Sequence, residues 1–277
     1  MKRFSILILT ALFLIPLCLQ GRDQVRAEEI IVLIDNGQPV DFRDVEIVGI
    51  LDFTGVDDRR LVRDSRSFWG FLNQGSRVYE CRVRVPVRFI DCVFQDDVLA
   101  YYNDRNRDVL NVVFYENVTF EGCRFMGKAH FKYVKFLRNA EFANTSYRDE
   151  ALFKYTEFSG PVDFSRSRFE GEANFKYVKF PNAARFEDAV FRREANFKFA
   201  TVDTDADFRN AEFRGEANFK YTKFFGSAFF NGGSFYRLAN FKYTKFSEKP
   251  DFDETEFAGS TDFKYTKVQG RTWKHFR

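Results

Sequence analysis

An all-β solenoid with four sides and about 22 residues per coil is the fold class this sequence predicts, and three observations predict it. The first is the spacing of the large apolar residues. From Phe120 they run through Phe125, Phe131, Phe136, Phe142, Tyr147, Phe153 and Phe158 and on to Phe263, in steps alternating five and six, with only Tyr147 and Val202 in place of phenylalanine. The second is the return of whole words. "FKY" begins at 131, 153, 175, 219, 241 and 263, with "FKF" at 197, so the text repeats every 22 residues. Self-similarity at such a period marks an architecture of stacked units. The third is a small or β-branched residue two positions before each large one, as in Ala129, Val134, Ala140, Thr145, Ala151, Thr156, Val162 and Ser167. Neither the three-and-four spacing of a helix nor the sustained alternation of an ordinary strand accounts for this. A unit with inward positions at i and i−2 is one short extended segment followed by a corner. Four units of five, six, five and six make one coil, and each side then stacks on its equivalent at the strand spacing of roughly 4.8 Å.

Taken in order, the chain opens on Lys2 and Arg3, an apolar run from Phe4 to Leu19 and then "VRAEE". That is the pattern of a secretory signal peptide spanning 1–27, cleaved after Ala27. Sixteen apolar residues are short for a membrane span, and an uncleaved inner-membrane anchor is the alternative. Residues 28–108 are expected to form one or more N-terminal capping coils, since Phe42, Ile47 and Phe53 hold the five-six spacing and Phe89 and Phe94 return to it. Two stretches break the rhythm and are expected to be insertions, 54–77 as a short helix or lid loop, and 95–108. Residues 109–268 are the regular β-helix, and 269–277 a C-terminal tail in which Trp273 and Phe276 are placed to fold over the last coil. With 95–108 set aside, Phe94 and Phe125 fall on one side of successive coils, and Cys92 and Cys123 stand one rung apart. Either a disulfide or two small core thiols satisfies that placement.

The units Ala173-Asn174-Phe175-Lys176-Tyr177, Ala217-Asn218-Phe219-Lys220-Tyr221, Ala239-Asn240-Phe241-Lys242-Tyr243 and Ala206-Asp207-Phe208-Arg209-Asn210 resemble the repeat of the pentapeptide-repeat proteins, which reads Ala, Asp or Asn, Leu or Phe, and two variable residues. The resemblance covers about 109–268 and, more weakly, 40–53 and 85–94. It implies a right-handed quadrilateral parallel β-helix with a solid core and favours dimerisation through the C-terminal end. Six residues on alternate sides depart from the simple pattern and match a Phe-rich, eleven-residue variety of the family. Cytoplasmic members act as acidic mimics of DNA that inhibit or protect topoisomerases, which gives an alternative functional reading.

Composition, at 45% hydrophobic and 19% aromatic with six prolines, is that of a structured chain. The 43 basic and 40 acidic residues become 39 of each once 1–27, with four basic and one acidic residue, are set aside. A neutral, exported chain suits a DNA mimic poorly, and nucleic acid is not an expected partner. Only His130 and His275 are present, far apart, and no Cys or His pair has metal-ligand spacing. No enzyme activity, cofactor or metal is therefore expected.

A 22-residue repeat turns each outward position into a ladder. Lys132, Lys154, Lys176, Lys198, Lys220, Lys242 and Lys264 form one row, with Tyr133, Tyr155, Tyr177, Tyr221, Tyr243 and Tyr265 beside it and Phe199 completing the column. Lys135, Lys179, Lys223, Lys245 and Lys267 lie near the next side. One reading is structural, with Glu150, Glu172, Glu194 and Glu216 neutralising the lysines diagonally and the tyrosines stacking on one another. The other is a binding face for an unknown protein or an anionic glycan, on an exported scaffold in the periplasm or outside the cell.

Overall fold

The computed structural model describes residues 22–64, 76–103 and 108–273. In them the chain passes in turn through four parallel sheets and closes a right-handed, four-sided β-helix. One regular coil shows the path. Ala140–Glu141 lies on the first face, Ser146–Tyr147 on the second, Ala151–Leu152 on the third and Glu157–Phe158 on the fourth. The register of 22 holds, for Ala173 pairs with Ala195, Ala195 with Ala217 and Ala217 with Ala239.

Inside, the inward phenylalanines stack on their equivalents in neighbouring coils, the fourth-face column being interrupted where Phe180 and Phe246 pair with Val202 and Val268. Phe169 and Phe191 stand 4.8 Å apart at 3°, and Phe175 and Phe197 4.9 Å apart at 5°. Between adjacent faces the rings meet edge to face, as Phe164 and Phe175 do at 78°. Both arrangements suit the ring quadrupole. The column is solid, and each buried ring contributes on the order of 1.5–3 kcal/mol before entropy is subtracted.

The alternation of five and six residues is an alternation of corners. Each five-residue step holds a β-turn whose third residue is left-handed. In the turn closed by Thr156 N–H on the Phe153 carbonyl (3.1 Å), Tyr155 has φ 62°. A type II turn has that form. Two side chains hold it. Asn174 Oδ1 accepts from the Lys176 N–H at 3.2 Å, and Asn196, Asn218 and Asn240 do the same one coil on each time. Thr156 Oγ1 donates to the Phe131 carbonyl of the neighbouring coil at 2.7 Å, as Thr222 does to Phe197 and Thr244 to Phe219. The six-residue steps are open bends in which successive coils come closest. A Cβ built on Gly215 would stand 2.2 Å from the Arg193 carbonyl oxygen, so only glycine fits over that peptide.

Before the repeats the structure departs from expectation in three places. The boundary expected after Ala27 falls inside the fold. Gln24–Arg26 is a strand paired with Glu46–Val48, and Ala27 is buried at the start of helix α1 (Ala27–Asp35). This helix caps the first coil with Ala27, Ile30 and Ile34, a three-and-four spacing hidden within the apolar word "AEEIIVLID". Second, the described part of 54–77, expected as a short helix or lid loop, is mainly strand. After a single 3-10 turn (Phe53–Gly55), Arg59–Asp64 runs antiparallel to Arg77–Val83. Third, residues 95–100 belong to the coil rather than to an insertion, because Val98–Leu99 pairs with Ala129–His130. Phe94 pairs with Phe125, 31 residues on instead of 22, so nine extra residues enter after Ala100. They build Tyr101–Asn103 antiparallel to the start of Asp108–Phe114. Both additions leave the coil between the third and fourth faces. The expected signal segment, apart from 22–27, lies outside the described residues.

Cys92 and Cys123 stand on successive coils as expected, both buried and both free. Burial pushes the Cys123 thiol far above its ordinary range, while its hydrogen bond to Cys92 eases ionisation of that partner. At the C-terminus Arg271–Thr272 folds back on Lys267–Val268, and Trp273 meets Phe246, Phe252 and Phe263 at 5.6–5.9 Å. Phe276 lies outside the described residues.

Candidate functional site: a lysine and tyrosine edge

The seven lysines and six tyrosines singled out in the sequence share one edge of the helix, the corner between the third and fourth faces. Each sits in the same turn, Lys at its second position and the aromatic residue at its left-handed third. Tyr133, Tyr155, Tyr177, Phe199, Tyr221, Tyr243 and Tyr265 have φ of 58–63°. Bulky side chains rarely take this conformation, which costs roughly 1–2 kcal/mol each.

The offset is stacking. Successive rings from Tyr133 to Tyr265 stand 4.7–4.8 Å apart, within 3° of parallel except for 17° at the last pair. Each lysine Nζ lies over the ring of its own neighbour, at 5.0 Å for Lys132 and Tyr133 and 5.7 Å for Lys242 and Tyr243. The column reaches into the hairpins, where Tyr101 meets Tyr133 at 5.3 Å and Lys132 Nζ lies 4.6 Å over it. Inside the column the aromatic faces are therefore covered by one another. Edges, hydroxyl groups and ammonium groups are what the edge presents to solvent.

The diagonal neutralisation of the lysines by glutamates is not what the geometry shows. Among the described residues no ion pair joins Glu150, Glu172, Glu194 or Glu216 to the lysine row. Glu150 instead meets His130 Nε2 at 3.1 Å, and Asn174 donates to Glu172 at 3.2 Å. Burial, and then the carboxylates of Glu172 and Glu216, hold Glu194 above its ordinary range. In the other row burial, then Lys176 and Lys132, lower Lys154. Like charges thus stack on like charges in two separate rows.

On the fourth face, Lys135 pairs with Glu80 at 3.3 Å and Lys179 with Glu157 at 3.5 Å. Lys223, Lys245 and Lys267 stand in direct register with one another. Beside them Phe225 is 52% exposed, an aromatic residue that the inward spacing gave no reason to notice because it lies outside the five-six series. Among the described residues there is no group of His, Cys, Asp or Glu that could hold a metal ion, and no helix long and apolar enough to cross a membrane.

A family model described as pentapeptide repeats (9 copies) matches residues 153–201 and 186–234. Neither the curated proteins nor the solved structures yield a match. Proteins built of these repeats are generally non-catalytic scaffolds or binding proteins. The matched segments are coils whose Asn-capped turns, left-handed corners and stacked phenylalanines are described above, and residues 153–234 of this chain are built of pentapeptide repeats.

Proposed function

We propose that this scaffold acts outside the cytoplasm, in the cell envelope or beyond it, and that its lysine edge binds an anionic polymer. The observation that carries the reading is the unneutralised row from Lys132 to Lys264, set at strand spacing and free of ion pairs among the described residues. Ammonium groups at this spacing repel one another modestly in water, and a polyanion lying along them relieves the repulsion. An extended ligand suits a row that runs the length of the repeats. Export rests on the basic start and apolar run of residues 2–19, with an uncleaved inner-membrane anchor as its alternative. Duplex mimicry toward a topoisomerase calls for rows of carboxylates, and the accessible ladder here is basic. Homodimerisation through the C-terminal end is proposed on separate grounds, the state of that end itself.

The test is binding of fluorescein-labelled alginate and of labelled polyphosphate at low salt. Wild-type protein is expected to bind, and added salt to weaken binding steeply as the charges are screened. Lys198→Gln, Lys220→Gln and Lys242→Gln together should lower affinity without moving the melting temperature, since these side chains point outward. If wild type binds no polyanion, or if the triple variant binds as well as wild type, the ladder is structural and recognition belongs to the hairpins at its foot.

A further inference from the structure

The two lysine rows that flank the aromatic column are not equivalent along its length. In the N-terminal coils carboxylates accompany them. Lys135 is paired with Glu80 and Lys179 with Glu157, and the corner before the third face carries Glu150, Glu172, Glu194 and Glu216 in succession. At the next two repeats that corner carries Leu238 and Ser260. In the last three coils, of which only the first carries a glutamate at that corner (Glu216), Lys220, Lys242 and Lys264 lie on one side of the column and Lys223, Lys245 and Lys267 on the other, and none of the six makes an ion pair among the described residues. Alongside runs a groove of about 290 Å³ lined by Lys223, Phe225, Lys245, Ser247, Lys267 and Gly270. Phe225 is 52% exposed and has no ring partner among the described residues, in contrast to the tyrosines stacked on their neighbours.

We infer that the ligand site on this edge is its C-terminal third, and that it is built for an acidic polysaccharide. This rests on the ladder being a binding surface. The three fourth-face lysines, one strand apart, accept a row of carboxylates or sulfates, and Phe225 offers the apolar platform on which a sugar ring packs. A phosphate polymer has charge but no ring to use that platform.

Three variants separate the possibilities, with unchanged melting temperature as the control for folding. With labelled alginate, Lys223→Gln, Lys245→Gln and Lys267→Gln together should weaken binding roughly tenfold, the combined effect of three exposed charge contacts. Lys132→Gln, Lys154→Gln and Lys176→Gln together should change it by less than about twofold. Phe225→Ala should weaken binding of alginate and leave polyphosphate binding as it was. Equal losses from the two triple variants would overturn the placement while leaving the ladder as a whole in force. A Phe225→Ala variant that binds alginate normally, or loses polyphosphate equally, would overturn the polysaccharide assignment. Failure of wild type to bind either polymer would remove the ladder reading itself.

Discussion

Tyr147 stands where the repeat otherwise places phenylalanine, stacked between Phe125 and Phe169 at 5.0 and 4.8 Å. It is fully buried, and its hydroxyl has no hydrogen-bond partner among the described residues. A buried polar group without a partner costs about 1–3 kcal/mol, whereas the ring itself fits. Tyr147→Phe should therefore raise the midpoint of thermal unfolding, and calorimetry showing a lower midpoint would mean that the hydroxyl has a stabilising partner. The residue scale also shows where sequence reading stops. Spacing alone placed the aromatic residues of "FKY" on one outward column, and that placement is what the structure shows. Stacking of those rings on one another was one of the two readings it left open, and what decides it is the left-handed φ, a property of the folded turn. Phe225 escaped for the opposite reason, being a phenylalanine at a position where inward periodicity says nothing.

At the scale of elements, the five-six rhythm was legible because each side has so few residues that a single phase error would turn a phenylalanine outward. Helix α1 was not legible. Its Ile30 and Ile34 end the unbroken apolar run 30–34, and that run reads equally well as part of a strand. The hairpins were seen only as breaks in phase, since nothing local states which corner an insertion leaves from. The second break was set too early because Val98 and Ala100 hold the inward positions with side chains smaller than phenylalanine. A coil that contacts only its neighbours is a removable unit. Deleting 173–194 joins Glu172 to Ala195, preserves the order of all four faces and should leave a folded, cooperatively unfolding protein. Deleting 173–177 instead disturbs the order of five- and six-residue sides and should abolish folding. Circular dichroism melts of the two variants decide the point, and an unfolded whole-coil deletion would show that the coils are not interchangeable.

The whole molecule has two unlike ends. At the N-terminal end, helix α1 covers the core with buried Ile30 and Ile34, and Arg59–Asp64 covers the edge of the fourth sheet. At the C-terminal end the described residues supply a short fold-back in place of a helix. Arg271–Thr272 pairs with the last strand of the fourth face, and Trp273 lies against three phenylalanines. The first three faces stop at Asp251, Glu256–Phe257 and Thr261–Asp262, each with no further strand beyond it among the described residues. Phe252, Phe257 and Phe263 are only partly buried there, unlike their equivalents in every inner coil. Open strand edges invite pairing with another chain, and the neighbour of matching shape is a second copy of the same end. Two such ends meeting across a two-fold axis form a self-complementary interface that closes at the dimer. Sedimentation at micromolar concentration should therefore show a dimer. Thr261→Pro should shift it to monomer while the inner coils keep their unfolding midpoint, because the Ala239 N–H donates to the following coil at the Ser260 carbonyl and the equivalent Thr261 N–H lies on the edge that a second copy would pair with, where proline removes a donor. A wild-type monomer under these conditions would mean that Trp273 and the folded-back strand suffice as the cap.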